Sequence, residues 1–267
     1  MQVNIGKLIE MYSRQVIVKE IGVKGLVKFL KSRVAVFGCG ATGSTAIELL
    51  ARAGVGFIRA IDRDFVDISN IPRTHLLTER DAREAVPKAV ACANNLKRVF
   101  SVTEIEPVVT DVNSSNIEEL IQDVDLIIDG SDNFTIRYLI NDAAVKHGKP
   151  WIFIGVERWY GDTMFIVPGK TACFRCLIPN PPPEVGDVCN ILGVVNTTVN
   201  LIVSAAVTEA LKYLLSIGEI GDLIIIDTLR LSIDKVKISR NPKCPTCGTG
   251  NFEFLATKEF FRAKRIC

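Results

Sequence analysis

Short apolar runs alternate with amphipathic stretches from residue 33 to residue 156. Five runs have the length and the β-type composition of strands, and they lie at 34–37, 56–62, 101–110, 125–130 and 151–156. Between them, apolar residues recur every three or four positions, which predicts helices at 46–53, 87–100, 114–124 and 134–147. Strands that alternate with helices indicate a parallel sheet with helices on both of its faces.

The last third of the chain departs from this alternation. The apolar runs 222–229 and 231–238 follow each other without an intervening helix, so we expect an antiparallel hairpin there. The long apolar stretch 194–215 carries Asn, Glu and Lys side chains that are costly in lipid, which favours a buried helix over a membrane span. Four prolines within 179–187 predict a surface loop, because proline cannot donate a hydrogen bond to a helix or a sheet.

Composition limits the size, compartment and partners of the protein. The chain has 267 residues, of which 48% are hydrophobic, and this length allows one large α/β domain or two small ones. We expect a single domain over 1–267. A net charge of +2 gives no sign of a surface for nucleic acid or membranes. The N-terminal residues lack the basic and apolar regions of a secretory signal, so we expect a cytoplasmic protein. In a reducing cytosol, a Cys-x-x-Cys pair indicates metal or redox chemistry more often than a disulfide.

The segment GCGATG joins the first predicted strand to the first predicted helix. Gly38, Gly40 and Gly43 match the G-x-G-x-x-G pattern, in which small residues let the backbone approach a phosphate at a helix N-terminus. Asp62 ends the next predicted strand, where a carboxylate can accept hydrogen bonds from ribose hydroxyls. The pattern predicts a nucleotide site without distinguishing NAD from ATP, and a tight turn with no ligand is the plainer alternative.

Charged and polar residues after this acid favour a triphosphate over a dinucleotide: Asp64, Asn70, Arg73, Lys88 and Asp132. Lys88 lies in the first turn of a predicted helix, where a cation opposes the helix dipole unless an anion is close. Asp132 follows the strand 125–130, at the sheet edge where such folds bind ligands. Several cations with a carboxylate suit a triphosphate and Mg²⁺. Alternatively, Lys88 is a solvated surface charge, and Asp132 or Asn133 only caps the next helix.

Two Cys-x-x-Cys pairs predict a metal centre. Cys173 and Cys176 form the first pair, and Cys244 and Cys247 form the second. Together they supply four thiolates, which suit a tetrahedral zinc ion with no open position, so the site should be structural. The alternative is two unrelated pairs, redox-active or idle.

Together with the pattern of strands and helices, these pairs define the expected fold class, which is α/β. We expect a Rossmann-like parallel sheet with helices on both faces, extended by antiparallel C-terminal strands and a four-cysteine zinc site.

Cys189 stands apart from both pairs, beside the proline-rich loop. A thiol in such a place can act as a nucleophile or a sulfur carrier. It can equally be a small buried hydrophobic residue at the start of the following helix. Cys39, Cys92 and Cys267 have weaker claims, because they lie in the glycine turn, in a predicted helix and at the last position.

The order of these motifs resembles the MoeB/ThiF family, the prokaryotic relatives of ubiquitin-activating enzymes. The resemblance extends over nearly the whole chain, and its motifs are YSRQ (12–15), VAVFGCGATG, AGVGFIRAIDRD, SNIPR, DGSDNFTIRYLIND, CFRC and RNPKCPTCG. It implies an adenylyltransferase that activates the C-terminal Gly-Gly carboxylate of a small ubiquitin-like or sulfur-carrier protein, with ATP, Mg²⁺ and Zn²⁺ as cofactors. Thioester formation or sulfur transfer would follow, in molybdopterin or thiamin biosynthesis, tRNA thiolation or protein conjugation.

The resemblance also implies roles for individual residues. Those implied at the nucleotide are Gly38, Gly40, Ala41, Gly43, Asp62, Asp64, Ser69, Asn70, Arg73, Lys88, Asp132 and Asn133. Asp62 would hold the ribose and Asp132 the Mg²⁺, while the phosphates would bind Asn70, Arg73 and Lys88. The two cysteine pairs match structural zinc ligands. Cys189 matches the cysteine that forms a thioester or an acyl-disulfide with the partner protein.

Arg14, in YSRQ, resembles the family arginine that reaches the ATP of the neighbouring subunit. This likeness implies a homodimer with two composite sites, in which residues 1–30 form a helical arm toward the partner. No rhodanese-like domain follows the second cysteine pair, so we expect any persulfide relay to use a separate sulfur donor.

Some positions depart from the family pattern. Ala41 stands where the family has a second adjacent glycine, Thr74 where glutamine is usual, and Met11 where an arginine precedes YSRQ. Alanine is tolerable at position 41 if the local φ is negative. Three alternatives stay open: an NAD(P)-binding oxidoreductase, supported by the glycine turn alone; adenylation of a non-protein or tRNA-linked carboxylate; and a scaffold that has lost turnover.

Overall fold

The computed structural model describes residues 5–181 and 192–256, whose eight strands form one mixed sheet. The strands are β1 (Arg33–Phe37), β2 (Phe57–Ile61), β3 (Glu104–Val108), β4 (Leu126–Asp129), β5 (Trp151–Glu157), β6 (Tyr160–Ile166), β7 (Leu223–Asp227) and β8 (Ser232–Val236). Across the sheet their order is β3-β2-β1-β4-β5-β6-β7-β8. The first five are mutually parallel, and β6 to β8 are antiparallel to their neighbours. The predicted Rossmann-like class with an antiparallel extension is confirmed.

Helices lie between the parallel strands, as the hydrophobic spacing predicts, and further helices precede β1 or follow β6. In the described residues they are α1 (Ile5–Met11), α2 (Ser13–Val16), α3 (Gly22–Lys31), α4 (Ala41–Ala53), α5 (Glu79–Arg83), α6 (Lys88–Val99), α7 (Ile117–Ile121), α8 (Phe134–Lys146), α9 (Phe174–Leu177), α10 (Asn196–Leu215) and α11 (Glu253–Ala256). A short 3-10 helix, Ile68–Arg73, follows β2. Helix α6 begins one residue later than predicted, because Pro87 precedes it as the cap with ψ 135°.

The helices cover both faces of the sheet and bury a large hydrophobic core on each. On β1, Val34 and Val36 point into the first core, while Ala35 and Phe37 point into the second. The first core also receives α4, α6 and α10, and the second receives α7, α8 and α9. A strand buried on both sides explains why its sequence is a continuous apolar run.

Helix α10 is a core helix, as the sequence predicts. It packs against α4 and β6, and its residues Ile202, Val203 and Ala206 are fully buried. Among the described residues it is the one helix long and apolar enough to cross a membrane, by length and composition alone. A core helix meets the same two criteria, so this finding is weak evidence for a membrane span.

Strand β6 is not predicted by the hydrophobic pattern. It pairs with β5 across a two-residue turn, Arg158 and Trp159, and then with β7. Arg158 has φ +50°, so this turn reaches the left-handed region without the glycine or asparagine that usually marks a hairpin. The predicted hairpin of 222–229 and 231–238 is confirmed as β7 and β8.

The strand order leaves a crevice between β1 and β4. The chain leaves β1 toward β2 on one side of the sheet, whereas β4 and β5 extend the sheet on the other side. Ligands of open α/β sheets bind at the carboxyl ends of strands at such a switch point. Gly38 and Gly130 directly follow the two strands and mark the crevice.

Candidate active site

A cavity of about 520 Å³ opens at the carboxyl ends of β1, β2 and β4. Its volume lies in the range of about 300–1,000 Å³ that is usual for small-molecule sites. The following residues of the predicted nucleotide set line it: Gly38, Gly40, Ala41, Asp62, Asp64, Ser69, Asn70, Arg73, Lys88, Asp132 and Asn133. Gly43 is not part of the lining and instead supports the turn that forms one wall.

Gly38 and Gly43 allow the glycine turn to pass directly against the end of β4. Gly38 has φ +86°, in the left-handed region that favours glycine. A Cβ on Gly43 would lie 1.8 Å from the carbonyl oxygen of Gly38, and one on Gly38 would lie 2.7 Å from the carbonyl oxygen of Gly130. The two strand ends therefore pack backbone against backbone, which brings their loops to a single cavity.

Helix α4 begins at the cavity wall. Its cap residue, Gly40, has no side chain to bond the first turn, so backbone N–H groups there lack a partner within the helix. A Cβ on Gly40 would meet nothing within 4 Å, and the approach to these groups is open. Ala41 is the first helical residue and is not among the residues with positive φ. Alanine is therefore compatible with the local backbone, and the helix start is suited to an anion.

Asp62 is fixed at the end of β2 by two backbone hydrogen bonds. Its carboxylate accepts from the N–H of Cys39 at 2.7 Å and from the N–H of Asp64 at 2.8 Å. Burial raises the pKa of Asp62, while the charge of Lys88 and the two N–H groups act in the opposite direction. Each carboxylate oxygen keeps acceptor capacity beyond these bonds, so the group is oriented and can still bind a hydroxyl.

Lys88 and Asp64 form an ion pair on the cavity wall. The Nζ atom lies 3.2 Å from Oδ2 of Asp64, and the lysine side chain is only 15% exposed. Lys88 is therefore not the freely solvated charge that the sequence left as an alternative. Beside this pair, Arg63 lies 2.7 Å from Asp111, another carboxylate of the lining.

The 3-10 helix presents Asn70 and Arg73 to the cavity. Asp67 accepts from the N–H of Ser69 at 2.8 Å, and Oδ1 of Asn70 accepts from the N–H of Asp67 at 3.0 Å. This reciprocal cap holds Asn70 by its oxygen and leaves its amide NH₂ group for other partners. The guanidinium of Arg73 donates to the carbonyl oxygen of Ser69. Within the described residues it forms no ion pair, so its charge is available to an anion.

Asp132 and Asn133 are adjacent but differ in their contacts. Asn133 caps α8, since its Oδ1 accepts from the N–H of Thr135 at 2.7 Å. The capping role that the sequence allowed for either residue thus belongs to Asn133. Asp132 is exposed and lines the cavity, and no hydrogen bond or ion pair joins its carboxylate to the described part of the chain. It is the carboxylate of the site best able to receive a cation.

Arg137 lines the cavity beneath the loop after β4, and sequence analysis does not single it out. Its Nε donates to Asp129 at 3.1 Å, and Nη2 donates to the carbonyl oxygens of Ser131 and Ile154 at 2.9 and 3.0 Å. Burial raises the pKa of Asp129, and the charge of Arg137 opposes that rise. The motif DGSDNFTIR contains Arg137, but an arginine on a helix is ordinarily exposed. No spacing in the sequence indicates its burial.

Arg14 does not line the cavity of its own chain. Its neighbours are well anchored: Tyr12 is 4% exposed and packs edge-on against Phe100, and Nε2 of Gln15 donates to the carbonyl oxygen of Ala53 at 2.7 Å. The guanidinium of Arg14 is exposed and makes no hydrogen bond or ion pair with the residues that the structure describes. The backbone at Arg14 is therefore held while its charge faces outward.

The four paired cysteines converge, as predicted. Their Sγ atoms lie 3.5 Å apart for Cys173 and Cys244, 3.4 Å for Cys176 and Cys247, and 3.9 Å for Cys173 and Cys176. All four lie within 4.8 Å of one another. A disulfide requires about 2.05 Å, whereas a tetrahedral ion with Zn–S bonds of 2.3 Å requires about 3.8 Å between sulfurs. The set fits a closed tetrahedral metal site, and its thiolate chemistry suits zinc.

The remaining cysteines divide into two groups. Cys39 and Cys92 are fully buried in the first core, where they serve as small hydrophobic side chains. Cys189 and Cys267 lie outside the described residues. The predicted role of Cys189 therefore stays a prediction.

Known proteins are similar to this chain over most of its length. The sequence pattern of the ThiF family matches residues 12–246. The sulfur carrier protein ThiS adenylyltransferase of Bacillus subtilis is 36% identical, covering 96% of this chain and 76% of that protein. The sulfur carrier protein adenylyltransferase of Thermus thermophilus is also 36% identical and covers 90% and 91%. The SAMP-activating enzyme E1 of Haloferax volcanii is 35% identical and covers 97% and 96%.

Solved structures share the fold at lower identity. MccB of E. coli, crystallised with MccA-N7isoASN, has a TM-score of 0.79 and 22% identity, covering 89% of this chain and 75% of that one. PaaA has a TM-score of 0.75 and 19% identity, covering 90% and 76%. At these identities the likeness concerns the fold alone.

Proposed function

Because the chain belongs to the ThiF family and is an adenylyltransferase, we propose that it activates the C-terminal Gly-Gly carboxylate of a small ubiquitin-like or sulfur-carrier protein with ATP. The relatives from B. subtilis and T. thermophilus are named for sulfur carrier proteins. The observation that carries the proposal is the convergence of the glycine turn, Asp62, Arg73, Lys88 and Asp132 on one cavity. A dinucleotide site would need the glycine turn and the acid but not this set of charges.

The proposed nucleotide position follows from the donors and acceptors of the lining. The ribose would lie against Asp62, whose carboxylate is already oriented by backbone N–H groups. The phosphates would lie between the start of α4 and the side chains of Asn70, Arg73 and Lys88, which all offer N–H donors. When bound, Mg²⁺ neutralises phosphate charge, and Asp132 is the carboxylate that would hold it.

The proposed reaction needs positioning more than covalent help. An oxygen of the substrate carboxylate attacks the α-phosphorus of ATP, the bond to the β-phosphate bridging oxygen breaks, and pyrophosphate leaves with the electron pair. Arg73 and Lys88 would stabilise the negative charge that grows on the leaving group. The described cavity would hold the two reactants together, and such positioning contributes a large share of the rate enhancement.

The charge of the cavity supports a composite site with a second subunit. Its lining contains four cations, Arg63, Arg73, Lys88 and Arg137, and four carboxylates, Asp62, Asp64, Asp111 and Asp132, so the difference is zero. A triphosphate brings about four negative charges, and one Mg²⁺ offsets only half of them. An outward-facing Arg14 from a partner subunit would supply further positive charge, which favours a homodimer.

A mixing experiment tests this composite site. Arg14→Ala and Asp132→Ala should each be inactive alone. If sites are shared, a mixture of the two should regain about a quarter of the wild-type activity, because half of the dimers are mixed and each holds one intact site. A mixture that stays inactive while exchanging subunits would show that Arg14 does not act in trans.

Zinc is the ion we propose for the four-cysteine centre, in a structural role. The four thiols leave no open position for a substrate. Two of them, Cys173 and Cys244, are almost fully buried in the second core. A closed and buried centre would tie the segment after β6 to the segment after β8.

The acyl-adenylate would pass to sulfur. A thiolate attacks the acyl carbon and AMP leaves. The two candidate sources of the thiolate are Cys189 and a separate sulfur donor, and the family resemblance favours Cys189. The variant Cys189→Ala should keep adenylation and lose any covalent adduct with the carrier. A thioester still seen by mass spectrometry in this variant would assign the step to another thiol.

Pyrophosphate exchange tests the proposed function directly. The purified chain is incubated with ATP, Mg²⁺, labelled pyrophosphate and each Gly-Gly-terminated β-grasp protein of its organism in turn. We expect exchange with at least one carrier and none after its Gly-Gly end is deleted. Absence of exchange with every carrier, together with tight binding of NAD(P), would instead support an oxidoreductase.

A further inference from the structure

Two adjacent residues of α8 each hold one of the two cysteine pairs. Oδ1 of Asn141 accepts from the N–H of Phe174 at 3.0 Å, and Phe174 directly follows Cys173. Oδ1 of Asp142 accepts from the hydroxyl of Thr246 at 2.6 Å, and Thr246 lies inside the second Cys-x-x-Cys pair. One helix thus contacts both segments of the centre.

The second carboxylate oxygen of Asp142 contacts a third segment of the chain, which follows the second cysteine pair. Oδ2 accepts from the N–H of Phe254 at 3.0 Å, in the helix α11 that follows the second pair. Asp142 is 0% exposed, and no ion pair joins it to a cation among the described residues. A buried carboxylate is costly unless hydrogen bonds satisfy it, so its position depends on Thr246 and Phe254. The cost of breaking either bond is correspondingly high.

Asn141 is oriented by the same kind of contact. It is 0% exposed, and its Nδ2 has no hydrogen-bond partner within 5–181 and 192–256, whereas its Oδ1 accepts from the N–H of Phe174. An unpaired buried donor is destabilising. The unpaired Nδ2 of Asn141 thus lowers the stability of the fold, while its Oδ1 binds the first cysteine segment.

Chain connectivity cannot align the two pairs, because 71 residues separate Cys173 from Cys244. Adjacent positions on a helix have a fixed spacing and direction. We propose that Asn141 and Asp142 are positioning residues of the metal centre, which hold the two cysteine segments at ligand spacing and thereby raise the affinity for the ion. The inference rests on the proposed zinc and adds the residues that preassemble its site.

Outer partners of metal ligands typically change affinity by about 10- to 100-fold when they are removed. The test measures the zinc dissociation constant of the full chain by competition with a chromophoric chelator at fixed pH. Thr246→Val keeps the shape and removes the hydroxyl, and Asp142→Asn keeps the shape and removes one acceptor. We expect each to bind zinc about 10- to 100-fold more weakly than the wild type.

Two matched variants separate positioning from general destabilisation. Thr246→Ser keeps the hydroxyl and should retain zinc affinity within about threefold. Thr163→Val removes another buried hydroxyl, which donates to the carbonyl oxygen of Phe153 at 2.6 Å, and should lower stability without changing zinc affinity. Circular dichroism confirms that each variant is folded. If Asp142→Asn does not fold, Thr246→Val carries the test.

The outcomes distinguish this inference from the zinc assignment. Wild-type affinity in Thr246→Val, or equal weakening in Thr163→Val, overturns the positioning role and leaves the zinc assignment intact. A folded wild-type chain that binds no zinc overturns both. Selective weakening in Thr246→Val with retention in Thr246→Ser supports the inference.

Discussion

The nucleotide cavity and the four-cysteine centre are built in different ways. The cavity draws mostly on one stretch, Gly38 to Lys88, and on the loop after β4, and its carboxylates lie shortly after strand ends. The centre joins segments that are 71 residues apart and lies within the second core. An exposed side chain of the cavity such as Asp132 can be removed without disturbing packing, whereas the buried cysteines of the centre cannot. Loss of function and loss of stability should therefore separate between the two regions.

Removing one thiol of the centre should give the largest effect. We expect the wild type to bind about one zinc per chain and Cys244→Ser to lose it. The Tm of the variant should fall by roughly 10 °C or more, because structural zinc contributes several kcal/mol to folding. Metal analysis and scanning calorimetry measure the two. Cys92→Ala is the matched control, since Cys92 is equally buried but lies in the first core, and it should keep its zinc. A Cys244→Ser protein with the wild-type Tm would contradict the structural role.

Removing a carboxylate of the cavity should affect activity alone. Asp132→Ala should reduce pyrophosphate exchange by about 100-fold or more, because lost electrostatic stabilisation of a transition state has this size. Its Tm should stay within about 1 °C of the wild type, because exposed side chains without partners contribute little to stability. Asp111→Ala removes another carboxylate of the lining and should retain exchange. Normal exchange in Asp132→Ala would refute the Mg²⁺ assignment.

A pair of glycine variants tests the backbone of the cavity wall. Gly43→Ala should lower the free energy of unfolding by about 1–3 kcal/mol, as overpacking does, because its Cβ would lie 1.8 Å from the carbonyl oxygen of Gly38. Gly40→Ala should change the free energy of unfolding by less than about 0.5 kcal/mol. The φ of Gly40 is −78°, and a Cβ added there would meet nothing within 4 Å. Urea unfolding compares the two. Equal stability would mean that the turn can shift Gly38 away from residue 43.

Removing the charge of Asp123, which belongs to neither region, should have the smallest effect on the free energy of unfolding. Hydrogen bonds from Arg59 and Arg33 lower the pKa of Asp123 to about 2, at the amino edge of the sheet. A carboxyl whose folded pKa is depressed contributes stability above its unfolded pKa of about 3.9 and loses it as pH falls. The difference in unfolding free energy between wild type and Asp123→Asn should thus be small and constant near neutral pH. It should shrink as pH falls from about 4 to 2, and a difference that grew with acid would reverse the assignment.

The sequence predicts the features whose cause is local. The glycine turn needs small residues at fixed spacing, and the structure places Gly38 and Gly43 where a Cβ would collide with backbone. Helix α10 is apolar because it lies in the core. The spacing within each cysteine pair suits a metal and can be read from the sequence, whereas the fold alone decides that the two pairs meet.

Features that leave no recognisable signal in the sequence are missed or left open. Strand β6 escapes prediction because its turn holds Arg158 at φ +50° without the usual turn residues. Arg137 escapes because its burial depends on Asp129 of β4 and the carbonyl of Ile154 of β5. The capping role could not be divided between Asp132 and Asn133, because the choice depends on which side chain turns back to the helix. The roles of Arg14 and Cys189 stay predictions.

Helix α8 contacts both the nucleotide cavity and the four-cysteine centre, so a change in its length would disturb at least one of them. Its cap, Asn133, lies at the cavity, and Asp142 lies nine residues further on, about 13 Å along the axis. Inserting one residue between Arg137 and Asn141 would rotate everything beyond it by about 100°. Either the buried amide and carboxylate would then face away from the cysteines, or Arg137 would leave the cavity. Length variation among proteins with this architecture should therefore fall in loops and spare this helix.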